Sequence, residues 1–125
     1  MRHRVSGYKL GRTTGARVAL RRNLMRQLLT HDRIRTTRAK AAAIRGETER
    51  IITIARNSAN ASDAGKVAAR RRVAAKLGGR SMIKRIFDEV APRFANRNGG
   101  YTRVVKLGPR LGDSAEMVIL ELVEE

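Results

Sequence analysis

Leu20, Leu24 and Leu28 recur at every fourth position, and Val18, Met25 and Leu29 widen the stripe. That spacing predicts an amphipathic helix over about 16–30, with Thr13 or Thr14 as its cap and Arg22, Asn23 and Arg26 on the face opposite the leucines. Ile34 and Thr36 then alternate with Arg33, Arg35 and Thr37, the pattern of a short strand after a turn at His31-Asp32. A second helix is expected over 38–57, burying Ala41, Ile44, Thr48, Ile51 and Ala55 with Ile52 at the margin. Gly46 lies inside it, a choice that costs about 1 kcal/mol relative to Ala and suggests close packing or a local weakness. A third helix, capped by Ser62 or Asp63, carries Arg70, Arg71, Arg72 and Lys76 among alanines and stops at Gly78-Gly79. A fourth starts near Ser81, buries Ile83, Ile86, Phe87 and Val90, and ends before Pro92. The chain closes with strands over 101–107 and 117–123, joined by a Gly/Pro-containing loop at 108–115. Val118, Leu120 and Leu122 give the last strand one apolar face, and the two strands make an antiparallel hairpin.

Residues 1–15 show neither periodicity. They hold three glycines and scattered cations, and read as an extended arm, disordered until bound, ahead of one domain at 16–125. With no Trp and only Tyr8, Phe87, Phe94 and Tyr101 as aromatics, the core must be Ile, Leu, Val and Ala, and a sheet face of base-stacking rings is not expected.

Charge sets the function class. The chain carries a formal +17, and 22 of its 28 cationic residues are Arg. No carboxylate precedes Asp32. Residues 1–40 hold twelve cations and one acid, whereas residues 81–125 hold seven of each. A segment this basic repels itself and calls for a polyanion, and the planar guanidinium favours structured or single-stranded nucleic acid. The arm and first helix are therefore the expected binding element, and the C-terminal hairpin the scaffold.

Catalytic chemistry finds little support. His3 and His31 are separated by the arm and a helix, and Asp88 and Glu89, adjacent on a helix, point about 100° apart. Neither a phosphate loop nor a dinucleotide fingerprint nor metal-ligand spacing occurs. The absence of Cys removes disulfides and thiolate sites and agrees with a reducing compartment. No stretch has the apolar length needed to cross a bilayer, and no apolar run follows the basic N-terminus as it would in a secretory signal. The expected location is cytoplasmic. Gly99-Gly100-Tyr101-Thr102-Arg103 admits two readings of equal weight: a turn into a strand with Tyr101 packed on the domain, or a close backbone contact followed by Tyr and Arg at a nucleic-acid surface.

The opening Met1-Arg2-His3-Arg4 with Lys9-Leu10-Gly11-Arg12 resembles the start of the bacterial large-subunit ribosomal protein L-seventeen family. So do His31 through Arg33-Ile34 and Thr36-Thr37 to Ala39-Lys40, then Ala91-Pro92-Arg93-Phe94, Gly99-Gly100-Tyr101-Thr102-Arg103, Gly112-Asp113 and Glu121-Leu122-Val123. The segments keep the family's order across nearly the whole chain. The resemblance implies an α+β fold with helices on a small mixed three-stranded sheet, in the order helix, strand, three helices, two strands. It also implies a noncatalytic protein on large-subunit ribosomal RNA near the polypeptide exit tunnel, beside proteins including L-thirty-two, supporting subunit assembly and translation. Neither cofactor, metal, membrane, small-molecule substrate nor homo-oligomer is implied. The sequence departs from the family pattern between about 57 and 81. The expected RNA-binding residues are Arg2, His3, Arg4, Lys9, Arg12, Arg17, Arg21, Arg22, Arg26, Arg38, Lys40, Arg93, Arg97, Tyr101 and Arg103. Arg70, Arg71 and Arg72 stay open between RNA and solvent. The rival reading is a nucleoid-associated DNA-binding protein, against which stands the lack of a heptad seam or helix-turn-helix.

Overall fold

The protein's structure, a computed structural model, describes residues 7–123. Expectations for Arg2, His3 and Arg4 lie outside the described residues. Helix α1 spans Thr14–His31, two residues longer at its start than the leucine stripe requires. The Ala16 N–H donates to Thr13 Oγ1 (3.4 Å), occupying one of the donors a helix start leaves open. Met25, Leu28 and Leu29 are buried, while Val18, Leu20 and Leu24 are only half-buried.

Asp32 ends α1 in the left-handed region (φ +68°) and turns the chain into β1, Arg33–Thr37. Thr37 closes β1 and caps α2, Arg38–Asn57, accepting from the Lys40 N–H (3.4 Å). All five expected positions of α2 are buried, and Ile52 is as deep as they are rather than marginal. A single 3-10 turn, Ser58–Asn60, leads to α3, Asp63–Leu77, whose cap is Ser62 (Gly65 N–H to Oγ, 3.2 Å) and whose end is the left-handed Gly78.

The fourth helix departs from expectation. We number as α4 a run that begins as Ile83–Arg85, widens into a π turn over Ile86–Val90 and resumes as Ala91–Arg93, so that it continues through Pro92 instead of stopping before it. Proline in a helix clashes with the carbonyl four residues back, and a π turn alters that register, with the Ala91 N–H reaching back to the Ile86 carbonyl.

Strands β2 (Thr102–Pro109) and β3 (Glu116–Leu122) form the hairpin, each shifted by one or two residues from its expected bounds, with a bulge between Lys106 and Gly108. The sheet order is β1-β3-β2. The α+β class and the element order are as expected, but the implied mixed sheet is antiparallel in both pairings. β3 returns from the hairpin loop and inserts between β2 and β1, running against both, so no parallel pair forms. Its Val118, Leu120 and Leu122 face the helices and complete a core with Ile44, Ile51, Val73, Ile86 and Val90. Phe94 and Tyr101 close one side with rings 5.0 Å apart, tilted by 58°.

Candidate nucleic-acid interface

The expected binding residues divide into two groups once folded. In the first group, Lys9, Arg12, Arg17 and Arg21 line a concavity of about 720 Å³ at the N-terminal end of α1, with Gly7, Tyr8, Thr13 and Thr14. Arg21 also borders a second, smaller hollow of about 210 Å³ between α1, α2 and α3, lined by Arg22, Glu47, Arg50 and Lys76 among others. Together the two hollows make one trough with seven cationic side chains and a single carboxylate.

The local causes are simple. Residues 17 and 21 sit four apart on α1, one above the other on the same face. No acidic residue occupies the first turn of α1, so the partial positive charge of its free N–H groups adds to that of the side chains. The Arg12 guanidinium donates to the Leu10 carbonyl (2.7 Å) within the arm, and Arg17 to Thr14 Oγ1 (3.3 Å) within the first turn of α1. Arg21 reaches Glu47 at 3.4 Å, yet its Nε is buried with no hydrogen-bond partner among the described residues. An unsatisfied buried donor costs about 1–3 kcal/mol. Arg50 and Lys76 belong to this trough and were not expected from the sequence, because they arrive from α2 and α3.

The second group is committed within the fold. Arg22 donates to the Ala75 carbonyl (3.3 Å) and Arg26 to the Leu77 carbonyl, so both satisfy the open end of α3, Arg22 while also lining the trough. Gly78 makes room for them: a Cβ there would stand 3.0 Å from Arg22 Cδ and 3.1 Å from Arg26 Nη2. Arg93 pairs with Asp32 (2.9 Å), which Arg85 also holds (3.1 Å), tying α4 to the α1–β1 turn. Arg38 pairs with Glu116 (3.2 Å) and Arg103 with Glu121. Arg97 donates to the carbonyls of Gly99 (3.3 Å) and Gly100 (3.2 Å). Lys40 is half-buried in the first turn of α2.

Tyr101 requires a correction. It is 1% exposed and packed on Phe94, so its ring belongs to the core and offers no stacking face; of the two readings of the Gly99–Arg103 segment, the structure supports the one with Tyr101 packed on the domain. Of the three successive arginines, Arg70 lies over the Phe87 ring (4.9 Å) and near Asp88 (3.8 Å), whereas Arg71 and Arg72 are exposed. Among the described residues no group of three or more His, Cys, Asp or Glu is placed to hold a metal, and no helix is long and apolar enough to cross a membrane.

Comparison with known proteins gives this basic chain its relatives. The family described as "Ribosomal protein L17" matches residues 20–123. A "Large ribosomal subunit protein bL17" of Trichlorobacter lovleyi is 46% identical over 125 residues, covering 100% of this chain and 95% of the relative. Its namesake in Clostridium acetobutylicum is 48% identical over 119 residues (94% and 98%), and that of Desulfitobacterium hafniense 46% over 115 (92% and 96%). With the family model matching residues 20–123 and relatives 46–48% identical along nearly its whole length, the chain belongs to the ribosomal protein L-seventeen family.

Proposed function

We propose that this chain binds large-subunit ribosomal RNA near the polypeptide exit tunnel through its basic arm and the trough beside α1, next to neighbouring proteins including L-thirty-two. Its family makes it a structural, non-enzymatic component of the large ribosomal subunit, which in bacteria is cytoplasmic. The observation that carries the RNA reading is the trough: two hollows that share Arg21, with seven cations and one carboxylate between them, and the α1 N-terminus at the larger one. Like charges gathered this closely are costly in a free protein and are offset when phosphates replace their counterions. Within the expected set, Lys9, Arg12, Arg17 and Arg21 take the phosphates. Arg22 and Arg26 hold α3 in place, and Arg38, Arg93 and Arg103 belong to ion pairs that position the sheet and α4. Residues 1–15 act as the arm and 16–125 as the domain.

The test is a salt titration of binding to a large-subunit RNA fragment. If the arm and trough neutralise about six phosphates, log K falls by roughly four units per tenfold rise in salt, on the single-strand slope. Changing Lys9, Arg12, Arg17 and Arg21 to Gln should flatten that slope far more than changing Arg70, Arg71 and Arg72 to Gln. Equal effects, or equal binding to duplex DNA of any sequence, would overturn the assignment in favour of the nucleoid alternative.

A further inference from the structure

The cations of the trough leave the outer edge of β2 untouched, and that strand forms an open sheet edge. Thr102, at the start of β2, turns its backbone away from β3: its N–H donates to Glu49 Oε1 (3.2 Å) and its carbonyl accepts from Arg45 Nη2 (3.1 Å). Tyr101, one residue earlier, points the other way and accepts from the Val123 N–H (2.8 Å). In an antiparallel strand this direction alternates, so the N–H and C=O of Val104 and Lys106 point out from the edge as those of Thr102 do. The bulge follows Lys106 and does not disturb the alternation before it. α2 covers Thr102, and no strand among the described residues pairs with the edge beyond.

Beside this edge runs a groove of about 450 Å³ lined by Val104, Ala41, Ala42, Arg45, Gly46 and Glu49. It joins a second hollow of about 420 Å³ through Arg38 and Ala42, where Thr37, Ala115 and Glu116 form the wall together with Tyr8 of the arm, which also lines the trough. Its floor is alanine and glycine. Nothing lies within 4 Å of where a Gly46 Cβ would be, so packing inside this chain does not explain the glycine.

Charge distinguishes the groove from the rest of the protein. Its two arginines, Arg38 and Arg45, are balanced by Glu116 and Glu49. The hairpin as a whole has Arg103, Lys106 and Arg110 against Asp113, Glu116 and Glu121, a net of zero in a chain of +17. Meanwhile Val104, Val105, Leu107 and Leu111 are exposed, Leu111 by 98%. A neutral, apolar edge offers little to phosphate, whereas an extended polypeptide can satisfy its outward N–H and C=O groups and fill its groove with alternate side chains.

We propose that the outer edge of β2 and the groove along α2 take an extended, apolar segment of a neighbouring large-subunit protein as a fourth strand. The inference rests on the chain's place in the large subunit and is independent of how the trough binds RNA. The experiment uses the full chain carrying a photoreactive diazirine analogue of lysine at Lys106, assembled into large subunits in cells, irradiated and read by mass spectrometry. The expected result is cross-linking to a single segment of another ribosomal protein. Val104→Pro removes an outward N–H and leaves the bonds to β3, and Gly46→Leu fills the groove from the helix side; each should lower that cross-link at least tenfold. Incorporation into subunits, scored in parallel, reports the RNA interaction separately. If Val104→Pro does not fold, Gly46→Leu carries the same comparison. Cross-links to ribosomal RNA, to a second copy of this chain or to nothing overturn the proposal, as does a protein cross-link that the variants leave unchanged.

Discussion

Two glycine-to-alanine substitutions should move stability in opposite directions. Gly46 lies within α2 with an ordinary helical backbone and open space around its absent Cβ. Alanine there removes the entropic penalty of glycine at no steric cost, and should raise the unfolding free energy by about 0.5–1 kcal/mol. Gly78 differs on both counts. Its φ of +74° costs an L-residue about 1–2 kcal/mol. A Cβ would also press on Arg22 and Arg26 at 3.0–3.1 Å, and these flexible side chains can yield only by leaving the carbonyls of Ala75 and Leu77. Each lost bond adds about 1 kcal/mol, less where water replaces the donor. Gly78→Ala should therefore destabilise by roughly 1–3 kcal/mol. Urea melts of the free protein, followed by far-ultraviolet circular dichroism with the slope held common, resolve differences of this size. Shifts of the same sign, or a neutral Gly78→Ala, would refute both the capping role of the two arginines and the account of Gly46 as unpacked.

Leu120→Ala, at the centre of β3 and fully buried, should cost about 2–5 kcal/mol in the same melts, whereas Arg110→Ala in the exposed hairpin loop should change folding little. Asp32→Asn keeps a residue tolerant of the left-handed turn but removes the charge shared by Arg85 and Arg93, and should cost roughly 0.5–2 kcal/mol, with Asp32→Ala costing more. Asp113 is held at a pKa of about 2, first by its hydrogen bond from Arg110 and next by the Ala115 N–H. Because that value lies below the ordinary one, the clasp contributes fully above about pH 4 and is lost as pH falls through 2; the carboxyl carbon shift of Asp113 by NMR should follow that curve, and return towards the ordinary value in Arg110→Ala.

The elements that could be read from sequence are those whose signals are local. α2 was legible because its helical spacing runs from Ala41 through Ile44, Thr48 and Ile51 to Ala55. β3 was legible because Val118, Leu120 and Leu122 alternate cleanly. The π turn in α4 was not, since it depends on how Ile86 and Val90 seat in a core assembled from other elements. The bonds of Arg22 and Arg26 to α3 were not legible for a related reason: the last carbonyls of that helix lie about fifty positions away in the chain. Periodicity marks the apolar stripe of a helix but does not say which polar residues a neighbouring helix end will claim. Arg50 and Lys76 carried no signal because a hollow formed by three helices has no contiguous signature, while the charge gradient pointed to the end of the molecule that holds the trough.

The crowding of cations along the trough gives salt two opposed effects on this protein. Added ions screen the mutual repulsion of Lys9, Arg12, Arg17, Arg21, Arg22, Arg50 and Lys76, and so favour the compact chain. The same ions reduce the gain from releasing counterions on RNA, and so disfavour the complex. A solution that keeps the free protein most firmly folded is thus one in which it holds RNA most weakly. In dilute salt the order reverses, and on the proposed reading RNA becomes the counterion of the trough, so that folding and subunit assembly draw on the same electrostatic deficit.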